Sequence, residues 1–377
     1  MPRCRHYLAA MATSMNTLTL DRAADEAPVR RTAKHLIADD RAMLRTAAEL
    51  TRDIAAPRPW IYWADLTGSA LLGYAALGVA MTAGATALVV AAGIVAALAL
   101  YRAISFIHEV SHMKHSALPG FRLGWNVLVG VPMLTPSFMY EGVHNLHHAK
   151  TRYGTVDDPE YLPLALMKPW TLPLFILVSA LAPVALLIRY AVLSPLSVLS
   201  ARLRRLIMER YSALAINPQF RRRAPEGDAR ALWNRIETAA SIWALTIVAL
   251  VATETVSLRS VLIAFAVVSM VAVVNQVRTL VAHLWENEGE AMTVTAQYLD
   301  SVNVPPPTLL PALWAPVGLR YHALHHLLPS LPYHALGEAH RRITAALASD
   351  SPYHKASYKG AIGLMAQITR STMKTNR

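Results

Sequence analysis

Five apolar runs limit what this chain can fold into more tightly than any other feature. Leu66 to Ala83 and Thr86 to Ser105 are joined by a short uncharged turn, and Ala239 to Thr253 and Leu258 to Val274 flank a second turn near Glu254 and Arg259. A helix that crosses the bilayer needs about 20 predominantly apolar residues, and a tight turn returns the chain to the side it left. Each pair therefore predicts a transmembrane helical hairpin, about four spans in all. Composition agrees, because only 16% of the 377 residues are charged and 54% are hydrophobic, whereas soluble domains carry about 25% charged residues.

The fifth run, Trp170 to Leu193, is interrupted by Pro173, Pro183 and Arg189. If it crossed once, the arginine-rich stretch 202–235 would sit on the non-cytoplasmic side, against the positive-inside rule. The expectation is a re-entrant or interfacial segment, or a hairpin broken near Pro183. Both termini and the histidine-bearing loops then lie in the cytoplasm, as in a bacterial inner-membrane protein.

Upstream, residues 1–59 form a polar cytoplasmic segment. Leu36, Met43, Ala47, Leu50 and Ile54 recur there at helical spacing opposite Asp39, Arg41, Arg45 and Glu49, predicting an amphipathic helix on the membrane interface. Trp60, Tyr62 and Trp63 resemble an interfacial aromatic belt. Residues 60–345 make the membrane domain and 346–377 a basic tail. The net charge of +12 lies beside apolar runs, without the aromatic-interleaved face of a nucleic-acid binder, so it records topology and contact with membrane lipid. Cys4 is the only cysteine, which rules out an internal disulfide or a resident iron–sulfur cluster. Any electrons the protein uses must come from another carrier.

Of fifteen histidines, twelve lie between residues 108 and 340. His108 and His112 stand at i and i+4, so they share a helical face. His144, His147 and His148 stand at i, i+3 and i+4, and His322, His325 and His326 repeat that spacing. Each triplet is a three-pronged ligand set. Neutral imidazole suits iron, copper, zinc and nickel alike, but eight clustered histidines exceed the four ligands of a zinc site and suit two metals with open positions. Glu109 is the candidate catalytic carboxylate: His108-Glu109-Val110-Ser111-His112 matches the HExxH zinc-protease pattern, with Glu109 as its base. A protease would leave both triplets idle, and Glu109 more simply orients an imidazole.

The clusters and their surroundings, "FIHEVSHMKHSALPGFRLGWN", "EGVHNLHHAKTRYGTVDDPEY" and "GLRYHALHHLLPSLPYHALGEAHRRI", resemble the membrane-bound fatty acid desaturase family, with its three histidine boxes. The likeness runs from about Trp60 to Ile343. It implies an all-α integral membrane protein whose cytoplasmic helical cap carries two irons. It implies His283, just after the last membrane helix, as a ninth ligand beside the eight box histidines. Acyl-CoA desaturases of the family carry an Asn four residues earlier, where this chain has Thr279, with Asn275 and Asn287 nearby. The implied reaction consumes O2 and two external electrons to introduce a double bond into an acyl chain held as lipid, CoA ester or carrier-bound acyl group. The alternative is hydroxylation of an alkyl, sterol or carotenoid substrate on the same scaffold. No cytochrome b5 domain is fused to the chain, so a separate donor is expected, such as ferredoxin, rubredoxin or cytochrome b5. His115, His334 and His340 are expected beside the site or on a solvated face, and Asp157 and Asp158 in a supporting loop.

Overall fold

The computed structural model describes residues 36–375. Cys4, His6, His35 and most of the polar N-terminal segment lie outside the described residues. The longer elements are helical: α1 (Arg41–Thr51), α2 (Pro59–Thr82), α3 (Thr86–His112) and the short α4 (His144–His147). There follow the broken helix α5 (Thr171–Leu199), α6 (Ala201–Arg210), α7 (Gly227–Ala252), α8 (Leu258–Leu280), α9 (Val294–Asp300), α10 (His322–Leu327), α11 (Leu336–Ala346) and α12 (Ala361–Thr375). Among the described residues there is no named strand, only isolated bridges. Among the described residues five helices, α2, α3, α5, α7 and α8, are long and apolar enough to cross a membrane, and the chain is a membrane protein.

The first hairpin is tight. Pro59 starts α2 at a position where its missing N–H costs nothing, and α2 and α3 pack along their lengths. Gly73 permits this approach, since a Cβ there would lie 2.7 Å from the Leu100 side chain. At the turn, the Arg259 guanidinium donates to the carbonyls of Met81 (3.1 Å) and Ala83 (2.9 Å). Both hairpin turns therefore meet at the end remote from the histidines. Leu71, Leu72, Val90, Ile94, Leu245 and Leu262 are exposed, a lipid-facing surface that water would not tolerate in one patch.

The second hairpin is open rather than closed. Helix α8 packs on the first hairpin, while α5 lies between α7 and α8. The prolines explain the irregular path of α5. Pro183 has no N–H to offer Ser179, so residues Val178–Leu181 tighten into a 3-10 turn whose next N–H closes on that carbonyl. Ahead of Pro195 the helix widens over Arg189–Leu193, and the Ser194 N–H reaches back to Arg189 O. Phe175, near the start of α5, meets Trp285. The Ala180 carbonyl accepts from Ser269 Oγ, halfway down α8, at 2.7 Å, and Tyr190 then contacts Met139, a few residues before His144. Both ends of the segment thus lie at the histidine end of the bundle, with its middle beside the middle of α8. Its return is pinned by Arg189, whose Nη2 donates to Glu237 at 2.6 Å, with Arg204 on the other carboxylate oxygen.

Two expectations need correcting here. Met43 and Ala47 of α1 are buried against α11 in a cluster with Leu336, Ala339 and Ile343, so this apolar stripe serves the protein core instead of the membrane interface. Tyr62 is no belt residue. It is 1% exposed and donates to Glu109, while Trp60 alone of the three aromatics is largely exposed.

Candidate metal centre

Each histidine reaches the site by a different local device. The first pair rides on the last turn of α3, just past the apolar part of the helix. The second sits on α4, a single turn whose approach is held by Tyr140, the residue one turn before His144. His283 follows α8 directly, and the extended piece 300–304 pins it: Leu284 N donates to Asp300 O (2.7 Å) and Val302 N to Ala282 O (3.0 Å). That same piece places α10. Ala323 N donates to Val302 O, and the Asn303 side chain caps Leu324 N at 3.0 Å.

The nine side chains form two groups, His108, His112, His144, His148 and His325 in one, and His147, His283, His322 and His326 in the other. Within each group the ring nitrogens lie within 4.8 Å of one another. Neither triplet serves a single metal position. The i and i+4 members stay together and the i+3 member turns to the other group, so α4 and α10 each contribute to both. The Nε2 atoms converge: His325 lies 3.0 Å from His112 and 3.1 Å from His148, and His283 lies 3.0 Å from His322 and 3.3 Å from His147.

Outward, the Nδ1 atoms of His144, His147 and His283 meet acceptors. His147 Nδ1 lies 2.9 Å from Asp158, His144 Nδ1 2.8 Å from Glu160, and His283 Nδ1 2.8 Å from the Tyr153 hydroxyl, which donates to Asp300. An N–H given to a carboxylate fixes the tautomer and aims the Nε2 lone pair inward. Burial, reinforced by neighbouring imidazoles, holds His144, His148, His322, His325 and His326 well below the ordinary histidine pKa, so they are neutral lone-pair donors. At His147 burial also acts downward, but the Asp158 carboxylate outweighs it and raises the pKa. Burial pushes Glu160 up to about 7, against the opposing effects of His147 and Tyr140.

These residues fit metal ions. Both ring nitrogens of His108 are buried without a hydrogen-bond partner, and so are the Nδ1 atoms of His148, His322, His325 and His326. Neutral imidazoles converging lone pair to lone pair in a buried site would repel, and a cation at the focus of each group relieves that.

The structure brings together all eight box histidines and His283. It keeps Glu109 apart from both groups. One carboxylate oxygen accepts from the Tyr62 hydroxyl at 2.5 Å and from Tyr333 N at 3.1 Å, and the other lies 3.8 Å from His108 Nδ1, beyond hydrogen-bond range. His115 is exposed beside Arg122. His334 accepts from Arg58 N, and His340, expected on a solvated face, is 8% exposed against Tyr353. Asn287 donates to the Gly154 and Glu290 carbonyls and so supports the loop. Sequence reasoning missed Glu160, Asp300 and Tyr153. Glu160 stood in view, two residues beyond Asp158 in "DDPEY"; Asp300 carries no local signal.

Two neighbouring cavities matter here, the first of which borders the centre. One, of about 270 Å³, is lined by His108, Tyr140, Glu160, Asn275, Gln276 and Arg278 among others. The second, about 290 Å³ and almost wholly apolar, is lined by Tyr74, Leu100, Trp243 and Phe265, and it shares Met133, Leu186 and Val268 with the first.

Two all-imidazole groups at one end of a helical membrane bundle, beside a cavity in the bundle, define a class: membrane oxidoreductases that hold a pair of metals by histidine. Comparison with known proteins narrows the class. The family model described as "Fatty acid desaturase" matches residues 85–357. A ceramide hydroxylase of Caulobacter vibrioides (strain NA1000 / CB15N) is 49% identical over 339 residues, which cover 90% of this chain and 96% of the relative. No solved structure matches. The chain belongs to the fatty acid desaturase family and is an oxygen-dependent di-iron oxidoreductase.

Proposed function

We propose that this protein hydroxylates a ceramide-type lipid at its histidine centre, in place of the desaturation that the family resemblance implies. The observation that carries this reading is the 49% identity, over nine-tenths of the chain, to a ceramide hydroxylase. Desaturation and hydroxylation share the first C–H cleavage, so the boxes themselves do not separate them.

In this reading His108, His112, His144, His148 and His325 hold one iron, and His147, His283, His322 and His326 the other. The bound irons supply the oxidising power that side-chain acid–base chemistry lacks for an unactivated C–H bond. The protein's own residues do the positioning. Asp158 and Glu160 hold His147 and His144 by their Nδ1 atoms, and Tyr153, backed by Asp300, holds His283. Glu109 acts at a distance: through Tyr62 and Tyr333 it locks the end of α3 to α2 and to the loop after the third box. The paired cavities seat the lipid, and the apolar one excludes water from its chain. The balance is one C–H bond converted to C–OH, with the second oxygen of O2 leaving as water, at the expense of two electrons and two protons. A separate carrier brings the electrons to the cytoplasmic face of the inner membrane, where residues 202–235 and both termini also lie.

The test is expression with a ceramide-containing membrane under 18O2, followed by mass spectrometry of the lipids. A ceramide that gains one labelled oxygen, and loses it in His147→Ala, supports the assignment. A product two hydrogens lighter with no label would return it to desaturation.

A further inference from the structure

Arg278 occupies the last turn of α8, inside the cavity that His108 and Glu160 also line. It is 9% exposed, and its Nε has no hydrogen-bond partner. Its other nitrogens reach the Tyr101 side chain and Asn275 Oδ1, the latter at 3.5 Å, the limit of a hydrogen bond. Glu160, on the same wall, acts on it through charge, but its oxygens bond to His144 Nδ1 and the Tyr140 hydroxyl and not to the guanidinium. A buried guanidinium with an idle donor is costly, and a plain hydrocarbon in this cavity would leave it idle. Asn275, Gln276 and Thr279, on the same helix, line the cavity with further polar groups.

The neighbouring cavity lacks such charged and amide side chains. Tyr74, Leu77, Leu100, Leu134, Trp243 and Phe265 give it an apolar wall. Beginning beside the metal groups, a bound lipid therefore meets polar groups first and apolar ones beyond. Oxidation in the middle of an acyl chain needs methylenes at the metals and apolar lining on both sides of them. Along these two cavities the continuous apolar lining lies away from the metals, beyond the polar groups.

We propose that Arg278, with Asn275 and Gln276, is the binding site for the amide linkage of the lipid substrate. The guanidinium donates to the amide carbonyl oxygen, the chain runs on into the apolar cavity, and the carbon oxidised lies within the first few from that linkage. The inference rests on the proposed ceramide hydroxylation, but its binding arm can be read without turnover.

Two measurements on the full-length, iron-loaded protein in vesicles test it. Without reductant, a short-chain ceramide is compared with an ether-linked analogue of equal length that lacks the carbonyl. Wild type should prefer the ceramide about tenfold or more, the scale of a charge-assisted hydrogen bond. Arg278→Met should lose that preference with its iron content unchanged, and Arg278→Lys should keep part of it. With donor and O2, fragmentation of the wild-type product should place the hydroxyl within a few carbons of the amide. Equal preference in wild type and Arg278→Met, or a mid-chain hydroxyl, overturns the proposal. If Arg278→Met does not retain its iron, Asn275→Leu takes its place, with an expected drop in preference of about threefold; a preference equal to wild type's overturns it there too. A protein that binds ceramide by Arg278 but yields only desaturated product refutes the hydroxylase reading and leaves the binding site standing.

Discussion

The most economical residue in the centre is Asp158. It is fully buried, and its two oxygens serve His147 Nδ1, Gly154 N and Glu160 N. One carboxylate thus orients an imidazole and folds the loop that carries Glu160, the partner of His144. Asp158→Ala is expected to weaken iron retention about 10–100-fold, the usual cost of removing such a partner. Iron stoichiometry after dialysis against a graded chelator checks this, and unchanged retention would contradict the role. The histidine spacing was legible in the sequence, since i, i+3 and i+4 can only mean one helical face. How the triplets divide was not. Three residues on one face can serve one point or two, and only the approach of α4 and α10 to each other and to His108 and His112 decides it. Glu109 misled for a related reason: its position beside His108 in sequence says nothing of Tyr62 and Tyr333, which arrive from distant segments and claim its carboxylate.

Among the elements, the two hairpins were readable because a span has a required length and a recognisable composition. The openness of the second was not readable, because it depends on what lies between its arms. The prolines of α5 and the basic stretch after it pointed to a segment that turns back, and the contacts of Phe175, Ala180 and Tyr190 trace that path. The wedge it forms is what leaves room for the apolar cavity between α7, α8 and the first hairpin. Gly73 controls the opposite wall. A Cβ at that position must displace Leu100, which lines this cavity, and such overpacking typically costs about 1–3 kcal/mol. Gly73→Ala is therefore expected to lower the thermal midpoint in detergent and to shift turnover toward shorter acyl chains. Chain-length competition assays read the second effect, and an unshifted profile would place the chain elsewhere.

At the scale of the whole molecule, the fold gathers ligands from segments as far apart as His108 and His326, most of them carried by two very short helices. Helix α4 spans His144–His147 and α10 spans His322–Leu327, and helices this short are not stable on their own. Each carries ligands for both groups. An ion that fills one group therefore orders both helices and removes the ordering cost for the second ion, which makes the two binding events positively cooperative. Anaerobic titration of iron-free protein with ferrous iron, followed by native mass spectrometry, should show empty and doubly loaded chains at half saturation, with the singly loaded form in the minority. A dominant one-iron population would mean independent sites. If the coupling holds, a cell short of iron makes fewer complete enzymes rather than many half-built ones, and no lone iron is left to reduce oxygen without a partner.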